Sequence, residues 1–206
     1  MTEVEGLEEL RRLMPPTAES DTSVDWARMS ESWGREFPAD YRRFIELYGA
    51  GTIENYLVVQ EPEPRGERTP GATGGMVQET ANATLAWTKV PRSPELADAA
   101  PELIAWGADA SADILCWDAS GADPAGWPVL VHDRNANLWR RYDCGMVEFL
   151  VHVLRAEFES CPLGDRSLWG KDGSTFLNRR EEQRRTKAGL DPWTGEPDPY
   201  AGMFGD

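Results

Sequence analysis

Four short apolar segments between Leu103 and Tyr142 constrain the fold of this chain more than any other feature. They are Leu103 to Trp106, Ile114 to Trp117, Val129 to His132 and Leu138 to Tyr142, and Gly, Pro, Asp and Asn residues separate them. Each segment has the length and the branched or aromatic residues of a β-strand, and the residues between them favour turns. The most economical arrangement is an antiparallel meander.

Amphipathic helices are predicted on both sides of these strands. The clearest runs from Phe37 to Tyr48, with Pro38 in its first turn and apolar residues at helical spacing. Met146 to Phe158 predicts a helix that packs on one face of the sheet. Further helices are predicted from Val4 to Met14, from a cap at Asp21, Thr22 or Ser23 to Gly34, from Met76 to Lys89, and from Thr175 to Lys187. Further strands are predicted at Thr52 to Ile53 and Tyr56 to Gln60.

This order of elements predicts an α+β fold, a mainly antiparallel sheet flanked by helices. Residues 1–160 are expected to form a single domain. Residues 161–206 are interpreted as a C-terminal extension, partly helical and partly irregular, that adds little to the core. The glycines of Pro70 to Gly75 lack the lysine and the helix cap of a phosphate-binding loop, so they predict a flexible loop.

The charge of the chain is strongly acidic and unevenly distributed. Thirty-six acidic residues against 21 basic ones give a formal charge of −15, which disfavours nucleic acid and anionic membranes and favours a basic partner. The segment from Ser93 to Asp133 contains no Lys or Arg. Within it, the candidate partner-binding residues are Asp109, Asp113, Asp118, Asp123 and Trp127. The alternative is that the acids only solubilise loops and that Trp127 caps the core.

No residue pattern nominates a catalytic, metal or cofactor site. The three cysteines form no CxxC pair, and Cys116 between Leu115 and Trp117 is interpreted as a core residue. The pair His132 and Asp133 resembles a metal-binding dipeptide, but His152 is the only other histidine. We therefore expect no enzyme activity, no cofactor and no metal. The start of the chain lacks the order of a signal peptide and no apolar run approaches ~18 residues, which predicts a cytoplasmic protein.

Five segments, taken in order, resemble the SUKH superfamily. They are FPADYRRFIELYGAG, LIAWG, DILCWD, DPAGWPVLVHD and MVEFLVHVL, and the resemblance covers about residues 24–158. Its most specific residues are Phe37, Pro38, Tyr41, Phe44, Tyr48, Gly49, Trp106, Gly107, Trp117, Trp127, Pro128 and Phe149. Phe37 stands where leucine is commoner, and the extension has no counterpart. The resemblance implies an α+β sheet packed by helices, no catalytic residues and function through protein contact.

Many bacterial proteins of this superfamily are immunity proteins that bind toxin domains, frequently nucleases or deaminases. The resemblance therefore favours an immunity protein whose acidic surface binds a basic toxin domain. The alternative is a housekeeping scaffold or regulator similar to the yeast regulator of cell-wall glucan synthesis. A hydrolase would require polar side chains that converge in a deep pocket, and we expect no such pocket.

Overall fold

The structure, a computed structural model, describes residues 3–16, 22–66 and 75–201. Within these ranges the α-helices are α1 (Glu3–Leu13), α2 (Trp26–Trp33), α3 (Ala39–Tyr48), α4 (Met76–Trp87), α5 (Met146–Arg155) and α6 (Arg179–Lys187). The strands are β1 (Gly51–Ile53), β2 (Leu57–Val59), β3 (Leu103–Asp109), β4 (Ile114–Asp118), β5 (Val129–Asp133), β6 (Leu138–Tyr142) and β7 (Phe176–Asn178). Short 3-10 helices lie at Pro94–Leu96 and Pro124–Gly126. None of the helices in the described ranges has the length and apolar character needed to cross a bilayer.

The seven strands form one sheet in the order β6-β5-β4-β3-β2-β1-β7. All neighbouring pairs are antiparallel, and β1 to β6 follow one another as a meander. The predicted α+β class and the predicted meander are therefore confirmed. In the register of the sheet, Ala108 pairs with Ile114 and Ile114 pairs with His132, so these three side chains lie in one row on one face.

Side-chain alternation along β4 divides the core between the two faces of the sheet. Leu115 and Trp117 lie in the larger core, which contains buried side chains of α1, α2, α3 and α5. Ile114 and Cys116 lie in a smaller core with Ala83 of α4. The larger core is rich in aromatic rings, and the rings of Tyr41 and Trp117 meet edge-on with centroids 5.0 Å apart.

Local capping sets the ends of the early helices. The cap of α2 is Asp25, whose carboxylate accepts from the backbone N–H of Arg28 at 3.1 Å. The predicted caps Thr22 and Ser23 are wrong because Asp25 lies closer to the first helical residue, and Asp21 lies outside the described residues. Gly34 ends α2 in the left-handed conformation, with φ of 70°, as its position after the apolar stripe predicts.

The C-terminal extension is part of the fold, contrary to the expectation that it adds little core. Leu163, Leu168 and Phe176 are buried in the larger core. Residues 176–178 form β7 beside β1 instead of the first turn of a helix, and α6 begins only at Arg179. The Phe176 ring lies 5.3 Å from that of Tyr48 between centroids. The extension therefore covers the edge of the sheet.

Of the predicted flexible loop, Pro70 to Gly74 lie outside the described residues.

Candidate functional site

The four predicted partner-binding aspartates do not form one surface. Asp109 and Asp113 flank the β3–β4 turn, whereas Asp118 and Asp123 lie at the opposite end of β4. A five-residue strand spans about 17 Å at roughly 3.3 Å per residue. The acidic run from Ser93 to Asp133 is continuous in sequence but is separated in space by the sheet.

Asp113 is a structural residue and not a partner contact. Its side chain is fully buried at 0% exposure, and its two carboxylate oxygens accept from the backbone N–H groups of Arg134 at 2.7 Å and Gly164 at 2.5 Å. A Cβ atom at Gly164 would lie 3.1 Å from both oxygens, so a glycine permits this close approach. Asp113 thus ties the β5–β6 turn to the C-terminal extension. The prediction that it contacts a partner is wrong.

At the other end of β4, only one of the two predicted aspartates is accessible. Asp118 is 8% exposed, and its carboxylate accepts from the backbone N–H of Ser120 at 3.1 Å. Asp123 is exposed and caps the 3-10 helix that follows it by accepting from the N–H of Ala125 at 3.0 Å. The prediction for Asp118 is wrong because burial removes it from a partner's reach, whereas Asp123 remains available.

Trp127 caps the core, as the alternative interpretation predicts. The side chain is 2% exposed, its ring lies 6.4 Å from that of Trp117 between centroids, and its Nε1 donates to the carbonyl of Gly121 at 2.8 Å. The Arg35 guanidinium lies 5.7 Å from the centre of its ring. Its role as an exposed interface anchor is therefore wrong.

A cleft of about 780 Å³ lies between α4 and the end of the sheet that carries the β3–β4 and β5–β6 turns. We call it the sheet-end cleft. Its polar lining comprises Glu79, Asn82 and Lys89 on the helix side, and Asp109, Asp113, His132, Arg134 and Asn137 on the sheet side. Polar side chains therefore meet in an open cleft, which the sequence did not predict. Helix α4 packs on β3 and β4.

Asp109, one of the predicted partner-binding residues, lies in the lining of the sheet-end cleft. Its Oδ1 accepts from the backbone N–H groups of Ser111 at 2.9 Å and Asp113 at 3.0 Å, its Oδ2 is buried, and the hydroxyl of Tyr56 interacts with the same carboxyl group. Burial, and next the neighbouring carboxyl of Asp113, raise the pKa of Asp109 to about 7. This carboxyl group therefore changes its charge near neutral pH.

His132 forms the floor of the cleft beside Trp139. It is 6% exposed, its ring stacks on that of Trp139 at 5.1 Å between centroids, and its Nδ1 is buried without a hydrogen-bond partner. Burial lowers the pKa of His132, so the ring is neutral at pH 7. A neutral imidazole offers one accepting and one donating nitrogen.

The pair His132 and Asp133 does not build a metal site. Asp133 instead accepts from the N–H of Ala136 at 2.8 Å and pairs with the Arg140 guanidinium at 2.8 Å. Among residues 3–16, 22–66 and 75–201, no three His, Cys, Asp or Glu side chains lie close enough to hold a metal ion. Cys116 is buried in the smaller core, and burial raises the pKa of its thiol. It is therefore an unreactive core residue, as its apolar neighbours predict.

Sequence reasoning missed the contribution of α4 to the site. Glu79 and Leu85 line the cleft, and Leu85 is 56% exposed. The signal for Leu85 was its position away from the buried residues Met76, Thr80 and Ala83 of the same helix. Nothing in the spacing of the chain indicated that Glu79 would lie near Asp109.

Comparison of the chain with protein-family models, with curated proteins and with solved structures finds no match in any of the three. The geometry of the sheet-end cleft and the charge of the chain are therefore the observations that bear on its function.

Proposed function

We propose that this chain is a non-enzymatic binding domain of the SUKH kind that acts as an immunity protein by binding a basic toxin domain. The observation that carries the proposal is the sheet-end cleft. Its lining combines the carboxyl groups of Glu79 and Asp109 with the cations Lys89 and Arg134, and it includes the exposed Leu85. An interface commonly combines such an apolar contact with charges that complement those of the partner.

The charge of the chain supports the same proposal. A formal charge of −15 attracts a basic partner over several ångströms of solvent and raises the association rate above the unsteered ~10⁵ to 10⁶ M⁻¹s⁻¹. A nuclease binds phosphates in a basic groove, and carboxylates of an inhibitor can occupy that groove in their place. Rapid capture protects a cell, because a free toxin acts until it is bound.

The direct test is co-expression with a candidate toxin domain chosen from the neighbourhood of the gene. We expect cells to survive toxin induction and the two proteins to elute as one complex in size-exclusion chromatography. The variant Asp109→Asn should weaken that complex and flatten its salt dependence, whereas Asp98→Asn, an exposed acid away from the cleft, should not. Continued killing by the toxin while this protein is folded and abundant would overturn the immunity proposal.

The scaffold alternative predicts a different result from the same experiment. A housekeeping regulator would give no protection against a toxin, and its binding partner would be encoded away from any toxin gene. Protection together with a stable complex distinguishes the immunity protein from this alternative.

A further inference from the structure

The β3–β4 turn places two carboxyl groups side by side on one face of the sheet. Ala108 pairs with Ile114, so Asp109 and Asp113 are the next opposed residues, and the N–H of Asp109 donates to the carbonyl of Asp113 at 3.2 Å. Directly opposed residues of an antiparallel pair have Cβ atoms about 4.5 to 5.5 Å apart, and like charges there are destabilising. The two carboxyl groups lie within hydrogen-bonding distance of each other. If both were ionised, they would repel each other.

The further hydrogen-bonding groups that the structure describes around the Asp109 carboxyl are uncharged. The backbone N–H groups of Ser111 and Asp113 donate to its Oδ1, and the hydroxyl of Tyr56 interacts with the same carboxyl group. A proton held between Asp109 and Asp113 replaces the repulsion by a hydrogen bond from a carboxylic acid to a carboxylate, which is a strong type of hydrogen bond.

Asp113 connects this pair to two other parts of the chain. It is fully buried, and its two oxygens accept from the N–H of Arg134 at 2.7 Å and from the N–H of Gly164 at 2.5 Å. The Asn135 side-chain amide adds a hydrogen bond to the carbonyl of Gly164 at 2.7 Å. One carboxylate therefore joins the β5–β6 turn to the C-terminal extension, and a change of charge beside it acts on both.

We propose that a proton shared by Asp109 and Asp113 fastens the C-terminal extension at Gly164 to the β5–β6 turn, and that loss of this proton to solvent loosens the attachment. In the fastened state Asp109 is the acid and donates its O–H to Asp113, which stays a carboxylate for the two backbone N–H groups. After deprotonation two negative charges oppose each other, and opening of the β3–β4 turn relieves their repulsion. The inference goes beyond the proposed function, since it concerns how the chain holds its own extension.

The pKa of Asp109 sets the pH range of this switch. Burial, and next the carboxyl of Asp113, raise the pKa of Asp109 from 3.8 to about 7. In the opened turn the carboxyl group is hydrated, so its pKa returns toward the ordinary value. Between about pH 4 and pH 7 the fastened state binds a proton that the opened state has released. The equilibrium constant for opening therefore increases by up to about tenfold per pH unit in this range and levels off above pH 7.

The other ionisable groups around the pair come from three further elements. Burial raises the pKa of Tyr56 in the β1–β2 turn and of Cys161 in the extension, so both are neutral at pH 7. Burial lowers the pKa of His132 on β5, so its ring is also neutral at pH 7. The charged groups that line the cleft or lie beside Cys161 are Glu79, Lys89, Arg134, Asp165 and Arg166. Asp109 is therefore the group near Gly164 whose pKa is raised into the neutral range.

The test measures hydrogen exchange of the Gly164 amide by NMR in the ¹⁵N-labelled full chain, as protection relative to the intrinsic exchange rate at each pH. We expect protection of Gly164 to fall at least tenfold between pH 5 and pH 7 and to change little from pH 7 to pH 8. The amide of Asp118, which donates to the carbonyl of Pro128 at the other end of β4, should be less sensitive to pH. Equal changes at both amides would contradict a local attachment.

The carboxyl ¹³C signals of Asp109 and Asp113 test the shared proton directly. Because the two groups are coupled, both signals should follow one common titration near pH 7. Independent titration of the two signals at ordinary pKa values would overturn the proposal, whatever the exchange of Gly164 shows.

Asp109→Asn is the informative variant, because its side-chain amide keeps an acceptor for Ser111 and Asp113 and supplies an N–H in place of the shared proton. Protection of Gly164 should then stay high and lose its dependence on pH between 5 and 8. The matched control Asp98→Asn removes an exposed acid outside the turn and should keep the dependence of the parent chain. A pH dependence that survives in Asp109→Asn would overturn the switch.

Discussion

The two faces of the sheet differ in how completely helices cover them. On the larger core, α1, α2, α3 and α5 bury aromatic side chains such as Trp117 and Phe149. On the other face, α4 and a short 3-10 helix cover a smaller core and leave the sheet-end cleft open. Since alternate residues of each strand serve opposite faces, the same strands support both regions. The fully covered face stabilises the fold, and the partly covered face leaves polar groups accessible to a ligand.

Of the changes that test this difference, removal of the C-terminal extension should have the largest effect on the stability of the fold. A chain ending at Ser160 lacks β7 and exposes the larger core where Leu163, Leu168 and Phe176 pack, each worth about 1.5 to 3 kcal/mol of burial. We expect the cooperative thermal unfolding transition, measured by circular dichroism, to be lost. A chain ending at Ala188 keeps β7 and should retain the transition. Unchanged melting after removal of residues 161–206 would show that the larger core does not depend on the extension.

The next largest effect should follow from removing one aromatic ring of the larger core. Phe149→Ala deletes a fully buried side chain and should lower the free energy of unfolding by about 3 to 5 kcal/mol. The matched control Leu85→Ala, at the cleft, should change it by less than about 0.5 kcal/mol, because Leu85 is largely exposed. Urea denaturation of both variants measures the difference, and similar losses would remove the proposed distinction between the faces.

Asp113→Asn tests the hydrogen bonds that join the β5–β6 turn to the C-terminal extension beside the cleft. The amide loses the charge that holds the N–H groups of Arg134 and Gly164, and we expect a loss of about 1 to 3 kcal/mol in unfolding free energy. It also removes the neighbouring carboxylate from Asp109, so the pKa of Asp109, followed by NMR, should fall from about 7. An unchanged pKa would show that burial alone raises it.

A further prediction concerns the pH dependence that Asp109 contributes to stability. Its pKa is 3.8 without the fold and about 7 in the folded chain, so between these values the folded state binds more protons. This contribution is present below about pH 4 and is lost as the pH rises through about 7. Relative to Asp109→Asn, the parent chain should therefore become less stable over that interval in urea denaturation. Parallel curves for the two proteins would contradict this sign.

The sequence was most informative where residue periodicity determines structure. The continuous apolar run from Ile114 to Trp117, bounded by turn residues, predicted β4, and the helical stripe of Met146 to Leu154 predicted α5. The strand β7 was missed because its partner β1 lies far away in the sequence, and Phe176 gains its role only from such distant partners.

The candidate site was less predictable than the fold because the same residue type has opposite roles at neighbouring positions. Asp113 accepts from Gly164, which lies far away in sequence, and is buried by that contact, whereas Asp123 accepts from its own turn and stays exposed. The number of acidic residues in a segment does not indicate which of them will find such distant hydrogen-bond partners. The cleft was missed for the same reason, since α4 and His132 meet only through the tertiary structure.

The pairing of β7 with β1 also has a consequence for biosynthesis. Residues 51–53 leave the ribosome long before residues 176–178, so β1 exposes unpaired backbone groups at a sheet edge until nearly the whole chain has been made. Pairings between residues this distant in sequence form slowly, because a long loop must close first. During that interval the nascent chain has an open template for pairing with a neighbouring copy, and docking of the last strand ends the period of exposure.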